Sequence, residues 1–188
     1  MTGYSGYYDG QPHGATGTAT GIAGADLSAA LNLGGTFTDA PGGTAHWTFT
    51  GGTNYNDKSG NVAIDISHWR TDGFYQPVDM TNSSSTIVWN TIKGGSTVPL
   101  KFNLWAGTLK KTSTGDVQGF TVLPMPCDGS SLNSEVELTT TGGTTLRYDG
   151  TAGQFIQNWQ TPKTGNQCYM VRMTAKDGSK IEAYFKTK

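Results

Sequence analysis

Apolar and polar residues alternate in the stretch STVPLKFNLWAG, which runs from Ser96 to Gly107. The two alternating sets are Val98, Leu100, Phe102 and Leu104 on one side, and Pro99, Lys101, Asn103 and Trp105 on the other. This period of two predicts a strand with one buried face. Pro99 suits the start or an edge of such a strand, where its missing N–H does no harm. Lys101 falls on the second face, beside Asn103 and Trp105.

Short alternating segments recur along the chain, separated by glycine-rich turns. In the first half they predict strands at Gly35–Thr38, Ala45–Thr50 and Val62–Ile66, the first two joined by a turn at Asp39–Gly43. In the second half the predicted strands lie in TIVWNTI, VQGFTVLPM, SEVELTT, TLRYDG, GQFIQNWQT, CYMVRMTA and KIEAYFKTK. The segment Asp26–Leu33 is the one candidate for a helical turn. Many short strands with regular turns are typical of an all-β sandwich.

A change of composition after Ser67 divides the chain. The segment HWRTDGFYQPVDMTNSSS lacks a strand pattern and ends in a polar serine run, which indicates a connection between domains. We therefore predict two tandem β-sandwich domains, residues 1–68 and residues 69–188.

The last two predicted strands form a hairpin whose loop length is decided by their apolar faces. A two-residue loop would set Met173 opposite Glu182, an apolar residue against a charged one. The three-residue loop Asp177–Ser179 sets Met173 opposite Ala183. Because one residue of register turns a whole face over, we predict the three-residue loop, a type I turn with a bulge.

Composition and charge limit the environments and binding partners that are compatible with this chain. Glycine is abundant, with 27 of 188 residues, and only 14% of residues are charged, which suits strands and tight turns. The net charge of −1 and the pI near 6.3 argue against nucleic acid or an anionic membrane as partner. No apolar run is long enough to span a bilayer. The many Thr, Gly and Asn residues, the few Lys and Glu residues and the two cysteines fit a secreted β-protein, whereas MTGYSGYYDGQPHG has no signal-peptide pattern. We therefore interpret the chain as a piece of a larger secreted protein.

The two cysteines, Cys127 and Cys168, lie in the second half of the chain. In a secreted β-domain such a pair is most simply a disulfide, and closing a loop of about 40 residues would stabilise the fold by roughly 4 kcal/mol in the chain-entropy model. Two buried free thiols are the weaker alternative. Two cysteines without nearby histidine fall short of the four ligands of a structural zinc site.

Several separated motifs follow one another in the second half. GFYQPVDM precedes GGSTVPLKFNLW, which holds Pro99 and Lys101-Phe102, and GGTTLRYDGTAGQFIQNWQTPK and DGSKIEAYFKTK come after it. With the paired Cys127 and Cys168, these motifs resemble the PxKF domain, a bacterial extracellular module of immunoglobulin-like type. The resemblance spans about residues 73–188.

The first half carries YDGQPHGATGTATG, LGGTFTDAPGGTAHWTFTGGTNYN and SGNVAIDIS. These segments resemble a glycine-rich immunoglobulin-like repeat of large bacterial surface proteins. Such repeats usually open with one more strand upstream of YDG, so we expect a truncated first strand. Together the two resemblances imply two tandem immunoglobulin-like β-sandwiches in a non-enzymatic stalk, spacer or self-assembling coat element, located outside the cell or on its surface.

The histidine and carboxylate residues give only weak support for a catalytic function. No nucleophile elbow accompanies His13, His46 or His68, so structural or solvated histidine is the better interpretation. Glu135 and Glu137 point the same way from one strand, whereas glycosidase carboxylates face each other across a cleft. No stretch concentrates enough acidic residues for calcium. We predict no catalytic residue, no cofactor and no metal site.

Five tryptophans support an alternative function, a carbohydrate-binding or adhesive module that uses exposed aromatic residues: Trp47, Trp69, Trp89, Trp105 and Trp159. Core packing is the competing interpretation, because tryptophan buries much apolar area. Trp105 lies off the apolar face of its strand and Trp69 lies in the connection. These two are therefore the candidates for contacts outside the core of one domain.

Lys101 has three interpretations. It is a solvated residue with its stem across its neighbours, an ion-pair residue at an interface, or one end of a side-chain amide crosslink. The last requires a buried lysine beside a carboxamide, so its position on the second face favours the first two.

The N-terminal segment Thr2–Tyr8 contains Tyr4, Tyr7 and Tyr8 and is prone to form a strand. It could be the residual first strand of its own domain or a donor strand for a neighbouring molecule. We expect the partners to be neighbouring copies or adjacent domains of the parent surface protein, with glycans as the alternative. The corresponding hypothesis is that the chain assembles through Tyr4, Tyr7, Tyr8, Trp69, Lys101 and Trp105.

Overall fold

The computed structural model describes residues 1–81, 86–130 and 145–188, together with the backbone of residues 136–137. Regular structure in these residues is β-strand, apart from three single-turn 3-10 helices at Ile22–Gly24, Ser28–Ala30 and Thr114–Asp116. The predicted all-β class is therefore confirmed, and the helical turn expected at Asp26–Leu33 is reduced to Ser28–Ala30. None of the helices in the described residues is long and apolar enough to cross a membrane.

The chain divides into two compact units, Met1–Trp69 and Arg70–Lys188. The sequence placed the division one residue earlier, before Trp69. The ring of Trp69 meets the Tyr8 ring edge-on at 5.7 Å, and its Nε1 donates to the Tyr8 carbonyl oxygen at 2.8 Å. These two contacts place Trp69 in the first unit.

The first unit contains one four-stranded sheet with the order β1-β4-β3-β2. Its strands are β1 (Tyr4–Tyr7), β2 (Leu31–Asn32), β3 (Gly42–Phe49) and β4 (Lys58–Ser67). β1 runs parallel to β4, and the other pairs are antiparallel. The segment between β1 and β3 covers one face of this sheet and is tied down by the isolated bridges Thr2–Thr16, His13–Phe37 and Thr20–Asp26.

The core of the first unit lies between the sheet and this covering segment. It consists of buried Ala15, Ala45, Ile64 and Ile66, with Tyr4, Tyr8, Leu33, Phe37, Ala40 and Val62 packed around them. The strand predicted at Gly35–Thr38 is reduced to the single bridge of Phe37 to His13. β3 begins at Gly42, inside the predicted turn, because Gly42 (φ +87°) approaches β4 so closely that a Cβ would lie 1.9 Å from the Ile64 oxygen.

The second unit is a sandwich of two sheets. One has the order β11-β12-β7-β5, with β8 paired to β7, and the other has the order β10-β9-β13-β14-β6. The strands are β5 (Arg70–Tyr75), β6 (Trp89–Ile92), β7 (Thr97–Ala106), β8 (Leu109–Lys111), β9 (Val117–Met125), β10 (Val136–Glu137), β11 (Arg147–Asp149), β12 (Gln154–Gln160), β13 (Cys168–Ala175) and β14 (Lys180–Thr187).

Alternation correctly predicted the inner face of β7. Its four apolar residues, Val98 to Leu104, are all at most 6% exposed. Phe102 lies at the centre of the core, stacked on Phe155 at 5.1 Å and edge-on to Phe74 at 6.1 Å and Phe120 at 5.9 Å. Phe74 belongs to β5. The sequence pattern placed this segment in the connection between domains, but in the structure it is a strand.

Strand order identifies the topology of the second unit. Lettered in chain order without β6, β8 and β10, the seven main strands are A (β5), B (β7), C (β9), D (β11), E (β12), F (β13) and G (β14). The sheets are then D-E-B-A and C-F-G, which is the immunoglobulin arrangement. The first unit has a related single sheet, in which β1 pairs in parallel with the last strand as β6 does with β14.

The register of the final hairpin differs from the prediction by two residues. Met173 lies opposite Ile181 rather than Ala183, and the three-residue loop is Lys176–Gly178. The odd loop length and the shared apolar face were correct. The shift arises because the third loop position is left-handed, a conformation that Gly178 adopts at φ +83° and that side chains disfavour.

Candidate interaction surfaces

The outer face of the sheet that contains β7 carries long cationic side chains over an apolar residue. Across the strands, Lys101 lies between Ile156 of β12 and Tyr75 of β5, and Arg147 of β11 lies on the far side of Ile156. Cross-strand neighbours are within side-chain contact. Ile156 is only 7% exposed although it points outward, as expected when the stems of Lys101 and Arg147 cover it.

Asn103 follows Lys101 on the same face and is already engaged. Its side-chain oxygen accepts from the Tyr75 hydroxyl at 3.0 Å, and its amide nitrogen donates to the Gly153 carbonyl at 2.9 Å. The cross-strand neighbours of Lys101, Ile156 and Tyr75, carry neither carboxamide nor carboxylate. Asn103 is the carboxamide that follows Lys101 on this face, and its side chain is already hydrogen-bonded to Tyr75 and Gly153.

Trp105 lies between two cations on the same face. The Arg70 guanidinium carbon and the Lys110 Nζ each lie 5.1 Å from the centre of its ring. Each such cation–π contact is worth about 0.5–1 kcal/mol at an exposed site. Lys110 also donates to the Gly153 carbonyl. The indole Nε1 is buried and has no acceptor among the described residues.

We call the outward residues Arg70, Lys101, Trp105, Lys110 and Arg147 the basic face. Among the described residues, two carboxylates, Asp72 and Asp149, share this side of the sheet, and both have local partners. Asp72 pairs with Arg70 at 2.9 Å. Asp149 accepts from the backbone N–H groups of residues 151 and 152, each at 3.0 Å.

The N-terminal tyrosines lie on different sides of the first sheet. Tyr4 packs on the core and stacks on His13 with ring centres 3.6 Å apart. Tyr7 is 47% exposed. β1 pairs with β4 of its own unit, with Tyr4 opposite Ile64 and Tyr7 opposite Ser67. Of the two roles considered for this segment, the structure shows the strand within its own domain.

The remaining tryptophans lie in different environments. Trp69 and Trp159 are 5% and 1% exposed, and Trp159 packs edge-on to Phe185 at 4.9 Å. Trp89 is half-buried against Tyr184. Trp47 lines an open cavity of the first unit, where its ring lies over Gly60 so closely that a Cβ there would be 2.9 Å from the indole.

This cavity has a volume of about 380 Å³, within the range of small-ligand sites. Its lining consists of Met1, Ala19, Leu27, Leu31, Trp47, Phe49 and Tyr55, with polar groups from Thr18, Thr20 and Lys58. The covering segment contributes Thr18, Ala19, Thr20 and Leu27 to this lining. Sequence reasoning singled out Trp47 only as one of five tryptophans.

A cavity of about 460 Å³ in the second unit lies between the start of β7 and β6, with Asn90 in its lining. Asn90 is buried and accepts from the Asp79 N–H at 2.7 Å. Its amide donates to the Asp79 and Tyr184 carbonyls at 2.8 and 3.0 Å. These bonds tie the segment before β6 to β14, so Asn90 has a structural role.

The residues considered for catalysis are dispersed. His13 Nε2 lies 2.9 Å from Asp9 and His46 Nδ1 lies 2.7 Å from Asn61. The searched part of the chain, which is the described part, holds no cluster of three or more histidine, cysteine and acidic residues suited to a metal ion. Glu135 lies outside the described residues, and only the backbone of Glu137 is described.

The predicted disulfide between Cys127 and Cys168 is confirmed, with the two Cα atoms 5.2 Å apart. It joins the chain just after β9 to the first residue of β13, its neighbour in the same sheet. This differs from the disulfide of antibody domains, which joins strands B and F of opposite sheets. Cys127 is exposed, whereas Cys168 is buried among Leu123, Met125 and Met170.

Comparisons with known proteins give no family for the chain. No family model matches the chain, and no curated protein sequence shows significant similarity to it. Among solved structures, the chain is similar to "Titin Ig tandem domains A164-A165", with 15% identity and a TM-score of 0.27. The match covers 78% of this chain and 60% of that chain.

Proposed function

We propose that the chain is a non-enzymatic, load-bearing spacer within a secreted bacterial surface protein. The observation that carries this proposal is a parallel pairing with the last strand in both units, made by the first strand β1 in the first unit and by β6 in the second. β1 pairs with β4 over the four residue pairs from Tyr4–Ile64 to Tyr7–Ser67. β6 pairs with β14 over four residue pairs, from Trp89–Tyr184 to Ile92–Thr187.

Parallel pairing decides how a pulling force acts on a unit. When the start of β1 and the end of β4 are pulled apart, the strands slide along each other and all their hydrogen bonds are strained together. An antiparallel hairpin pulled at its open end breaks its bonds one at a time. Shear loading therefore raises the barrier to unfolding, which governs the lifetime of a domain under force.

The secreted and bacterial parts of the proposal have separate support. A disulfide is typical of an oxidising compartment. The motifs GGSTVPLKFNLW and LGGTFTDAPGGTAHWTFTGGTNYN resemble the PxKF domain and a glycine-rich surface repeat. Both families belong to bacterial extracellular proteins, in which tandem immunoglobulin-like domains serve as stalks.

Single-molecule force spectroscopy tests the load-bearing function. With handles at the two ends of the chain, we expect two unfolding events, one for each unit. The matched control places handles at residues 41 and 67, next to the open end of the β3–β4 hairpin, so that the same first unit is unzipped. We expect a clearly higher force in the end-to-end geometry, and equal forces in the two geometries would refute the proposal.

The aromatic cavity favours a second candidate, a carbohydrate-binding module. Trp47, Phe49 and Tyr55 present ring surfaces there, with the Lys58 ammonium among the polar groups, and ring surfaces can stack on the apolar face of a sugar. A glycan array tests this candidate. Binding that is lost in Trp47→Ala and retained in Trp105→Ala would support it, and no binding by the native chain would remove it.

A further inference from the structure

The near-zero net charge of the chain hides two units of opposite charge. The first unit has five aspartates and one lysine, a net charge of −4, whereas the second has twelve cationic and nine acidic residues, a net charge of +3. The five aspartates of the first unit, Asp9, Asp26, Asp39, Asp57 and Asp65, are all exposed. The chain therefore presents an acidic unit followed by a basic one.

Three cations of the basic face, Lys101, Lys110 and Arg147, have no carboxylate partner among the described residues. In the described part of the chain, no acidic oxygen lies within ion-pair distance of Lys101 or Lys110, whereas Arg70 pairs with Asp72. Lys110 lies opposite Trp105 on β8, and Lys101 lies four residues before Trp105 on the same face of β7. Tryptophan and arginine are the residues most enriched at the energetic centres of interfaces.

Two carboxylates of the first unit, Asp39 and Asp65, likewise have no partner of opposite charge among the described residues. Asp65 points outward from β4 and lies opposite Gly42 of β3. The Gly42 N–H donates to the Asp39 carbonyl oxygen at 2.9 Å, which brings Asp39 to the same end of the sheet. Neither carboxylate has a hydrogen bond or ion pair within the described residues, unlike those of Asp9, Asp26 and Asp57.

We propose that the basic face of one copy binds the acidic end of the first unit of a second copy, with Lys101 and Lys110 facing Asp39 and Asp65. Because the two surfaces are different, the contact is head-to-tail and can continue from copy to copy as an open array. Opposite charges steer the encounter and fix the pairing. The load-bearing spacer function does not depend on this contact, so the two proposals can fail separately.

Sedimentation of the intact chain tests the association. At about 0.02 M ionic strength we expect the average mass to rise above 19.9 kDa with increasing concentration. At about 0.5 M, where screening acts within roughly 4 Å, we expect the monomer. A monomer at every concentration in both buffers would overturn the proposal.

Charge reversal locates the contact. We expect Lys101→Glu with Lys110→Glu to weaken association about tenfold or more. The matched control, Lys163→Glu with Lys176→Glu, changes the net charge equally at exposed positions in loops away from the basic face and should associate like the native chain. Equal loss in the control would mean non-specific charge attraction and would overturn the assignment.

A charge swap provides the decisive measurement. Asp39→Lys with Asp65→Lys should not associate alone, but its mixture with the Lys101→Glu, Lys110→Glu variant should form hetero-complexes. Thermal melts of each variant establish that it is folded. Failure of the swap to restore association overturns the pairing. Polygalacturonate, an acidic polysaccharide, is the alternative probe, because binding to it without self-association would assign the basic face to anionic glycans instead.

Discussion

Loss of the Cys127–Cys168 crosslink is expected to destabilise the second unit alone. Both cysteines lie in that unit, and the first unit contains none. Cys127→Ser is the suitable perturbation, because Cys127 is exposed and its replacement by serine removes little packing. Cys168 keeps its buried position among its apolar neighbours. The variant therefore removes the crosslink while leaving the core intact.

The magnitude follows from the length of the closed loop. The two cysteines are 41 residues apart, and the chain-entropy model gives a stabilisation of about 4 kcal/mol for such a loop. A unit of about 120 residues has an unfolding entropy near 0.25 kcal/mol per kelvin. The melting temperature of the second unit should therefore fall by about 15 °C in calorimetry, with the transition of the first unit unchanged.

Force spectroscopy gives an independent measure of the same crosslink. While the disulfide is intact, the chain between the two cysteines, which are 41 positions apart, cannot extend. At about 3.4 Å per residue, this shortens the extension of the second unit by about 140 Å. Cys127→Ser, or reduction of the native chain, should restore that length to one of the two unfolding events.

Two results would refute this reasoning. If Cys127→Ser lowered both thermal transitions equally, the crosslink would not act within one unit. If it lowered the second transition by only a few degrees, the loop-closure contribution would be smaller than the model requires. Reductant serves as the control, since it should change the native chain and leave the Cys127→Ser variant unaffected.

Other substitutions test individual contacts by thermal or denaturant unfolding. Lys101→Met keeps the stem that covers Ile156 and should change stability by less than about 0.5 kcal/mol, whereas a larger loss would indicate a partner for the charge. Asn90→Leu leaves buried backbone groups unpaired and should cost the second unit about 2–3 kcal/mol, and a neutral result would contradict this. The Gln11 N–H, and then His13, lower the pKa of Asp9, so its stabilising contribution is present above about pH 4 and is lost as the pH falls through the lowered pKa. Asp9→Asn should flatten the acid dependence of the first transition, and an unchanged dependence would contradict it.

The sequence predicted best those strands that have one buried and one outward face. In β7 the apolar residues from Val98 to Leu104 alternate without interruption, so the period reports the core directly. β9 matches its predicted segment from Val117 to Met125 in both bounds. The disulfide was predicted from the cysteine count and the secreted character of the chain.

β5 could not be predicted in the same way. Only Phe74 of its six residues is buried, and the strand is interrupted after Gly73, where φ is +114° and the register with β7 shifts. A strand with one buried residue and an irregularity has no period to detect. Its place at the edge of the sheet is determined by the contact of Phe74 with Phe102, which is far away in the sequence.

For the candidate interface residues too, the sequence predicted the face of a strand but not the contacts between distant segments. Alternation placed Lys101 and Trp105 on the outer face of β7, and the register agrees. It could not show that Arg70 and Lys110 lie over Trp105, because those contacts depend on which strands flank β7. Trp69 was assigned to a connection because the local sequence has no strand pattern, but its position depends on Tyr8, about 60 residues earlier.

Parallel pairing of the terminal strands is the feature that sequence patterns are least able to predict and on which the proposed function depends most. Parallel strands need a long connection between them, so β1 and β4 share no local signal. Yet β1 pairs with the edge of β4, and its Tyr4 packs on the core opposite Ile64. An unpaired strand edge invites association with other chains. The same four residue pairs therefore cover the edge of β4 and load the first and last strands of the unit in shear, so one contact contributes to both the stability and the load-bearing role of the spacer.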